Sequence, residues 1–275
     1  MSLSKCHAKR LLQQLKISAL PIDPYGIAKQ KEIEVSEDDS EGYSGMLLLV
    51  NKHALISVRK TIREYQRKRF TVAHELGHYT IPGHLTSDKP FFKCTDKDLN
   101  TFWELNSKES EANSFAAELL MPENHFKDRI NGKDLSYNVL QDLKAEFDTS
   151  LTATAIRFIE ISGEYALIRS EKGAIKSFFR GEEFPYYVRD KGPLDENSMA
   201  IEFFNGENIP TTIEAVPAEC WLDDYRIKGD LEVQELSIAL PYYNEVLTFL
   251  YVDDYNIDDE DEYLEELDGY PKFRK

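Results

Sequence analysis

The sequence predicts an α+β protein: a mixed domain over residues 1–162, including a helical unit at 134–161, then a β-rich domain over 163–275. Three observations predict it. Alternating or continuous apolar stretches at 32–36, 43–50 and 54–58 read as strands, the last two joined by an Asn51-Lys52 turn. Helical spacing governs residues around 70–80 and 108–121 and returns at 134–161, where two helices flank Asp148-Thr149-Ser150. After Ser162-Gly163 the pattern turns to strands, opening with a hairpin at 165–169 and 175–179 around Glu171-Lys172-Gly173.

The remaining elements follow in order. Residues 3–17 read as an amphipathic helix with Leu3, Leu11, Leu12 and Leu15 on its apolar side. Pro21 and Pro24 break it and start a short helix ending near Lys29. Pro82-Gly83 ends the helix at 70–80, and residues 84–106, with Phe91, Phe92, Cys94 and Trp103, lack periodicity and read as a long loop. Pro122 stops the helix at 108–121. Further strands are expected at 200–204, 213–216, 231–240 and 246–252.

Composition narrows the class. The chain has 275 residues, 41% hydrophobic and 12% aromatic, enough for sizeable cores. A net charge of −17 disfavours general attraction to nucleic acid or anionic membrane. Three scattered cysteines, Cys6, Cys94 and Cys220, argue against a disulfide framework and for a reducing compartment. The first ten residues lack an apolar signal segment, and no run of eighteen apolar residues exists. These features predict a cytoplasmic protein with no membrane association.

Chemistry concentrates at His74-Glu75-Leu76-Gly77-His78. Residues four apart on a helix lie about 40° apart in projection, so both imidazoles can reach one metal ion. Glu75 lies beside them as a general base. This is the zincin H-E-x-x-H arrangement. Catalytic zinc needs three protein ligands and one open position. His84, six residues after His78, has the spacing of a metzincin's third histidine, but Ile81 stands where that motif needs glycine. The alternative is a carboxylate from the helix at 108–121. Glu109 shares a face with Asn113, whereas Glu109 and Glu111 lie about 200° apart, so one of them at most faces the metal.

The series Arg69-Phe70-Thr71-Val72-Ala73-His74-Glu75-Leu76-Gly77-His78, followed by Glu109-Ser110-Glu111-Ala112-Asn113 and the run through Met121-Pro122, resembles the ImmA/IrrE family of zinc metallopeptidases. Ser44-Gly45 and Ser150 to Arg157 also look like that family, and the likeness covers roughly residues 5–165. The resemblance implies a Zn²⁺ cofactor held by His74, His78 and Glu109, with Asn113 supporting a ligand histidine and Glu75 catalytic. It favours Glu109 over Glu111. It also implies a protein substrate, a DNA-binding transcriptional repressor with a helix-turn-helix domain, cleaved to derepress stress, phage-related or mobile-element genes. The zincin-like sheet implies an edge strand able to take an extended substrate.

Several features stay open. Cys94 reads either as an inhibitory fourth zinc ligand or as an inert buried thiol. Tyr79, His84 and Tyr43 are nearby candidates for stabilising an oxyanion. The stretch 59–69 holds six bases in eleven residues, a nucleic-acid patch or a solvated turn paired with acids. Within the helix at 151–161, Arg157 alone could meet phosphate. The β-rich domain resembles sensor regions attached to such peptidases, open to a ligand or nucleic-acid signal. Residues 253–268 carry ten carboxylates and read as a solvated tail. The competing function is a non-catalytic regulator with structural zinc, whose C-terminal domain binds a partner.

Overall fold

The computed structural model describes residues 2–39, 41–86, 88–99, 107–227 and 231–252. Trp103 and the acidic run at 253–268 lie outside the described residues. The architecture is mixed α+β with two sheets, and the chain divides into two compact units, Met1–Ile161 and Ser162–Lys275. Among the described residues no helix is long and apolar enough to cross a membrane.

The first unit begins with α1 (Leu3–Leu15) and α2 (Pro24–Gln30). α1 buries Ala8, Leu11 and Leu12, while Leu3 is exposed, contrary to the expected apolar face. Leu3 is eight residues from Leu11, about 80° away around the helix, so it points off the buried stripe. Asp23 caps α2 by accepting the Tyr25 N–H at 3.0 Å, with Pro24 in the first turn.

Strands β1 (Ile33–Asp38), β2 (Gly45–Val50) and β3 (His53–Arg59) precede the long helix α3 (Tyr65–Thr80). Asn51 and Lys52 both have positive φ, as a tight hairpin turn between β2 and β3 requires. β1 joins β3 in parallel. The stretch expected to be a loop at 84–106 instead contains β4 (Phe91–Cys94) and the one-turn α4 (Asp96–Leu99). β4 pairs antiparallel with β2, Cys94 opposite Gly45, and completes a sheet of order β1-β3-β2-β4. Four residues are too few for a readable period, and the pairing is non-local.

The helices α5 (Lys108–Leu120), α6 (Glu123–Ile130), α7 (Tyr137–Phe147) and α8 (Leu151–Ser162) complete the unit. α3 is buried on nearly all sides from Thr71 to His78. It packs on α5 and β2, with Leu47, Ile56, Leu76, Phe115 and Leu119 in the shared core. A Cβ on Gly77 would lie 3.2 Å from Ala112 Cα, so glycine lets α3 and α5 cross closely.

Arg157 on α8 is buried, not presented to solvent. It donates to Glu118, to Glu160 at 2.6 Å and to the Met121 carbonyl at 3.1 Å. Four of the six bases at 59–69 are closely paired: Arg59 and Arg67 with Asp96 at 2.9 and 2.6 Å, Lys68 with Glu37 at 2.7 Å, and Arg69 with Asp148.

The second unit is an antiparallel sheet of order β7-β6-β5-β10-β9-β8, built from β5 (Ala166–Glu171), β6 (Ala174–Arg180), β7 (Gly192–Pro193), β8 (Glu214–Pro217), β9 (Glu232–Leu240) and β10 (Glu245–Tyr251). Residues 200–204, expected as a strand, fall in the helix α9 (Met199–Phe204). The buried Glu235 carboxylate on β9 accepts the N–H groups of Met199 and Ala200 at 3.2 and 3.0 Å, and the Trp221 indole at 2.7 Å. That remote carboxylate satisfies the first turn of α9, a partner invisible to local patterning.

Candidate metal centre

One turn of α3 carries His74, Glu75 and His78, all fully buried. α5 crosses at Gly77 and brings Glu109 in one turn below Ala112. The end of β4 supplies Cys94. Four donor atoms converge, from His74, His78, Cys94 and Glu109, all within 4.8 Å of one another. The two Nε2 atoms are 3.1 Å apart. Glu109 Oε2 lies 3.2 and 3.3 Å from them, and Cys94 Sγ 3.2 and 3.6 Å.

The outer nitrogens explain this orientation. His74 Nδ1–H donates to Asn113 Oδ1 at 2.8 Å, and Asn113 Nδ2 donates to the Asp98 carbonyl at 2.9 Å. His78 Nδ1 meets His84 Nδ1 at 2.9 Å, and His84 Nε2 meets Glu111 at 2.8 Å. One proton arrangement satisfies the second chain with neutral rings: Glu111 accepts from His84 Nε2–H, and His84 Nδ1 accepts from His78 Nδ1–H. Both inward Nε2 atoms then carry lone pairs. Facing lone pairs and a carboxylate repel unless a cation sits among them, so the group could hold a metal ion.

Burial lowers His78 to about 4, keeping it neutral. Without a cation the inward nitrogens would instead carry protons and donate to Glu109: burial raises Glu109, but such bonds from His74 and His78 outweigh this and hold it well below the usual carboxylate range. Burial, then the Glu75 and Glu109 carboxylates, push the Cys94 thiol far above its ordinary value. Glu75 differs from all of these. Neither of its oxygens meets an N–H or O–H donor among the described residues, the Cys94 thiol being its one polar neighbour, and burial pushes it up to about 7. A Cβ on Gly45 would lie 2.5 Å from Glu75 Oε1, so β2 presses its bare backbone on this carboxylate.

The structure brings His74, His78, Glu109 and Cys94 together, with Asn113 behind His74 and Glu75 alongside. It keeps Glu111 and His84 out of the donor group and joins them to each other. Tyr43 donates its hydroxyl to Asp38, so Tyr43 and His84 already have partners. The His78–His84–Glu111 chain was missed by reading the sequence, although a metal-facing histidine always leaves a second nitrogen to satisfy. Phe92, stacked on His78 with ring centres 4.0 Å apart, was also missed.

A peptidase-family model described as the IrrE N-terminal-like domain matches residues 28–158. Residues 28–158 belong to the ImmA/IrrE family. The IrrE-like domain thus contains every member of the metal-binding group and ends within α8. No curated protein sequence matches the chain. Among solved structures, a Mycobacterium tuberculosis transcriptional regulator is similar in fold, with 13% identity and a TM-score of 0.53. That match covers 92% of this chain and 77% of the regulator. The metal-binding group is consistent with a metallopeptidase, the activity this family's name carries.

Proposed function

We propose that the chain is a cytoplasmic, zinc-dependent endopeptidase with a zincin-like catalytic domain. Its proposed substrate is a DNA-binding transcriptional repressor with a helix-turn-helix domain, cleaved to derepress stress, phage-related or mobile-element genes. The observation that carries the reading is Glu75: a fully buried carboxylate that meets no N–H or O–H donor among the described residues, only the Cys94 thiol, beside a group that could hold a metal. Burying such a group costs several kcal/mol and a thiol returns little of it, which favours a chemical role.

The donor set fits zinc. A tetrahedron with bonds of about 2.0–2.3 Å has edges of about 3.3–3.6 Å. Five of the six edges, those involving the two Nε2 atoms, run from 3.1 to 3.6 Å, and the sixth, between Cys94 and Glu109, is within 4.8 Å. Two imidazoles, a carboxylate and a sulfur are zinc's preferred donors. His74, His78 and Glu109 would hold the ion, and Asn113, His84 and Glu111 would fix the two rings. Bound there, zinc supplies Lewis acidity, polarising a scissile carbonyl and acidifying water. Glu75 accepts the water proton at a carboxylate oxygen and delivers it to the departing amine. Its elevated proton affinity suits both halves of that transfer. β4, at the edge of the sheet, would bind the substrate as an added strand.

The helical pair α7–α8 reads as structural support, not a DNA reader, since its Arg157 is buried in ion pairs. The second unit, residues 162–275, reads as a sensor domain for a ligand or nucleic-acid signal. The regulator-like neighbour in fold is compatible with a role in transcription control.

One observation favours a second reading, a non-catalytic regulator with structural zinc. Four protein donors converge, and structural zinc sites close all four positions. The substitution Glu75→Gln separates the two readings. Co-incubated with a candidate repressor carrying a helix-turn-helix domain, the variant should keep one zinc and lose the cleavage that the wild type shows. Full biological function in that variant would leave only the structural reading.

A further inference from the structure

We propose that Cys94 is a fourth protein ligand to the metal, and that its sulfur holds the peptidase to a low basal activity as folded. The proposal rests on the zinc peptidase reading and assigns the regulation of that same site.

Cys94 is not a thiol that happens to be buried. Its backbone is pinned by β4: Cys94 stands opposite Gly45, and its carbonyl accepts the Ser44 N–H at 2.7 Å. Its Sγ faces His74 Nε2 and His78 Nε2 at 3.2 and 3.6 Å, in the same group as Glu109. Cys220 is equally buried, yet among the described residues the His74–His78–Cys94–Glu109 group alone has metal-site geometry. An apolar side chain would fill the same volume without a donor atom. The position therefore calls for sulfur.

Closure follows from the coordination number. Zinc with four protein donors has no free corner, whereas hydrolysis needs one for water or the substrate carbonyl. On metal binding the Cys94 S–H bond breaks, sulfur keeps the electron pair to bind the metal, and the proton leaves to solvent. Glu75 is left without a water to act on. Withdrawing the sulfur opens one corner and leaves His74, His78 and Glu109, a His₂Glu set.

Cobalt(II) substitution of the full chain tests this without relying on activity alone. The wild type should bind one cobalt with a sulfur-to-cobalt charge-transfer band in the near ultraviolet. Cys94→Ala and the near-isosteric Cys94→Ser should still bind one cobalt, lose the band and hold the metal at least about tenfold more weakly. With zinc restored, both variants should cleave fluorogenic casein at least about tenfold faster than the wild type. Matching unfolding profiles in chelator would show that the variants fold. A wild-type cobalt spectrum without the band overturns the fourth ligand and leaves the three-ligand peptidase standing. A band that disappears without any gain in casein cleavage overturns the restraint on activity. Absence of stoichiometric cobalt in wild type and both variants overturns the metal reading itself.

Discussion

His78 and His84 meet through their Nδ1 atoms at 2.9 Å, and this contact fixes which nitrogen of His78 faces the metal-binding group. His84 is itself held by Glu111 at 2.8 Å. The chain has the same task for His78 that Asn113 has for His74. Supporting partners of this kind typically contribute about 10–100-fold to metal affinity. His84→Ala, Glu111→Gln and Asn113→Ala should each weaken zinc binding by about that factor in a competitive chelator titration. Unchanged affinity in all three would remove the positioning role.

Glu75 makes metal-free stability depend on pH. Its value rises from 4.5 to about 7 in the folded chain. The folded value lies above the unfolded one, so this group's stability is full below pH 4.5 and lost as pH rises through 7. The loss amounts to roughly 3 kcal/mol, since the group is fully buried. Glu75→Gln cannot ionise and escapes it. In chelator, denaturant titrations at pH 5 and pH 8 should show the variant gaining on the wild type at the higher pH. A constant difference across that range would contradict the assignment.

Gly45→Ala tests the contact between β2 and the base. The added Cβ would stand 2.5 Å from both Glu75 Oε1 and Thr71 Cγ2, so the strand or the helix must shift. Overpacking of this kind costs about 1–3 kcal/mol. The variant should unfold at lower denaturant and lose peptidase activity more than zinc affinity. Wild-type stability would mean that β2 yields without cost.

Glu118 and Arg157 form an ion pair with side chains 0% and 1% exposed. Removing one partner of a buried pair costs about 3–5 kcal/mol when the other charge is left uncompensated, and here Glu160 still offsets part of the Arg157 charge. Glu118→Ala should therefore destabilise the first unit by roughly 2–4 kcal/mol in urea unfolding. A loss below about 1 kcal/mol, the scale of exposed pairs, would show that Glu160 alone compensates Arg157.

Much of this was legible in the sequence because it is local. The turn at Asn51-Lys52, the short helix started at Pro24, and the helix carrying His74, Glu75 and His78 follow from spacing and residue type. A distant group decided the rest. Local patterning predicts a strand at 200–204, but α9 forms there because Glu235, some 35 residues away, satisfies its first-turn N–H groups. β4 has no readable period because it is short and its partner strand lies far upstream.

The sequence by itself determined the α3 half of the metal-binding group: helical geometry alone sets two imidazoles and a carboxylate on one turn. It also narrowed the remaining carboxylate to Glu109 or Glu111, which one helix cannot aim in the same direction. The tertiary structure sets Glu109, and not Glu111, beside the two imidazoles. The close crossing of α3 and α5 at Gly77 turns Glu109 toward His74 and His78, and leaves Glu111 to hold His84. It likewise brought in Cys94, through a strand register that no local pattern encodes. Distances between donors on different elements depend on how those elements pack, and packing is set by the whole core.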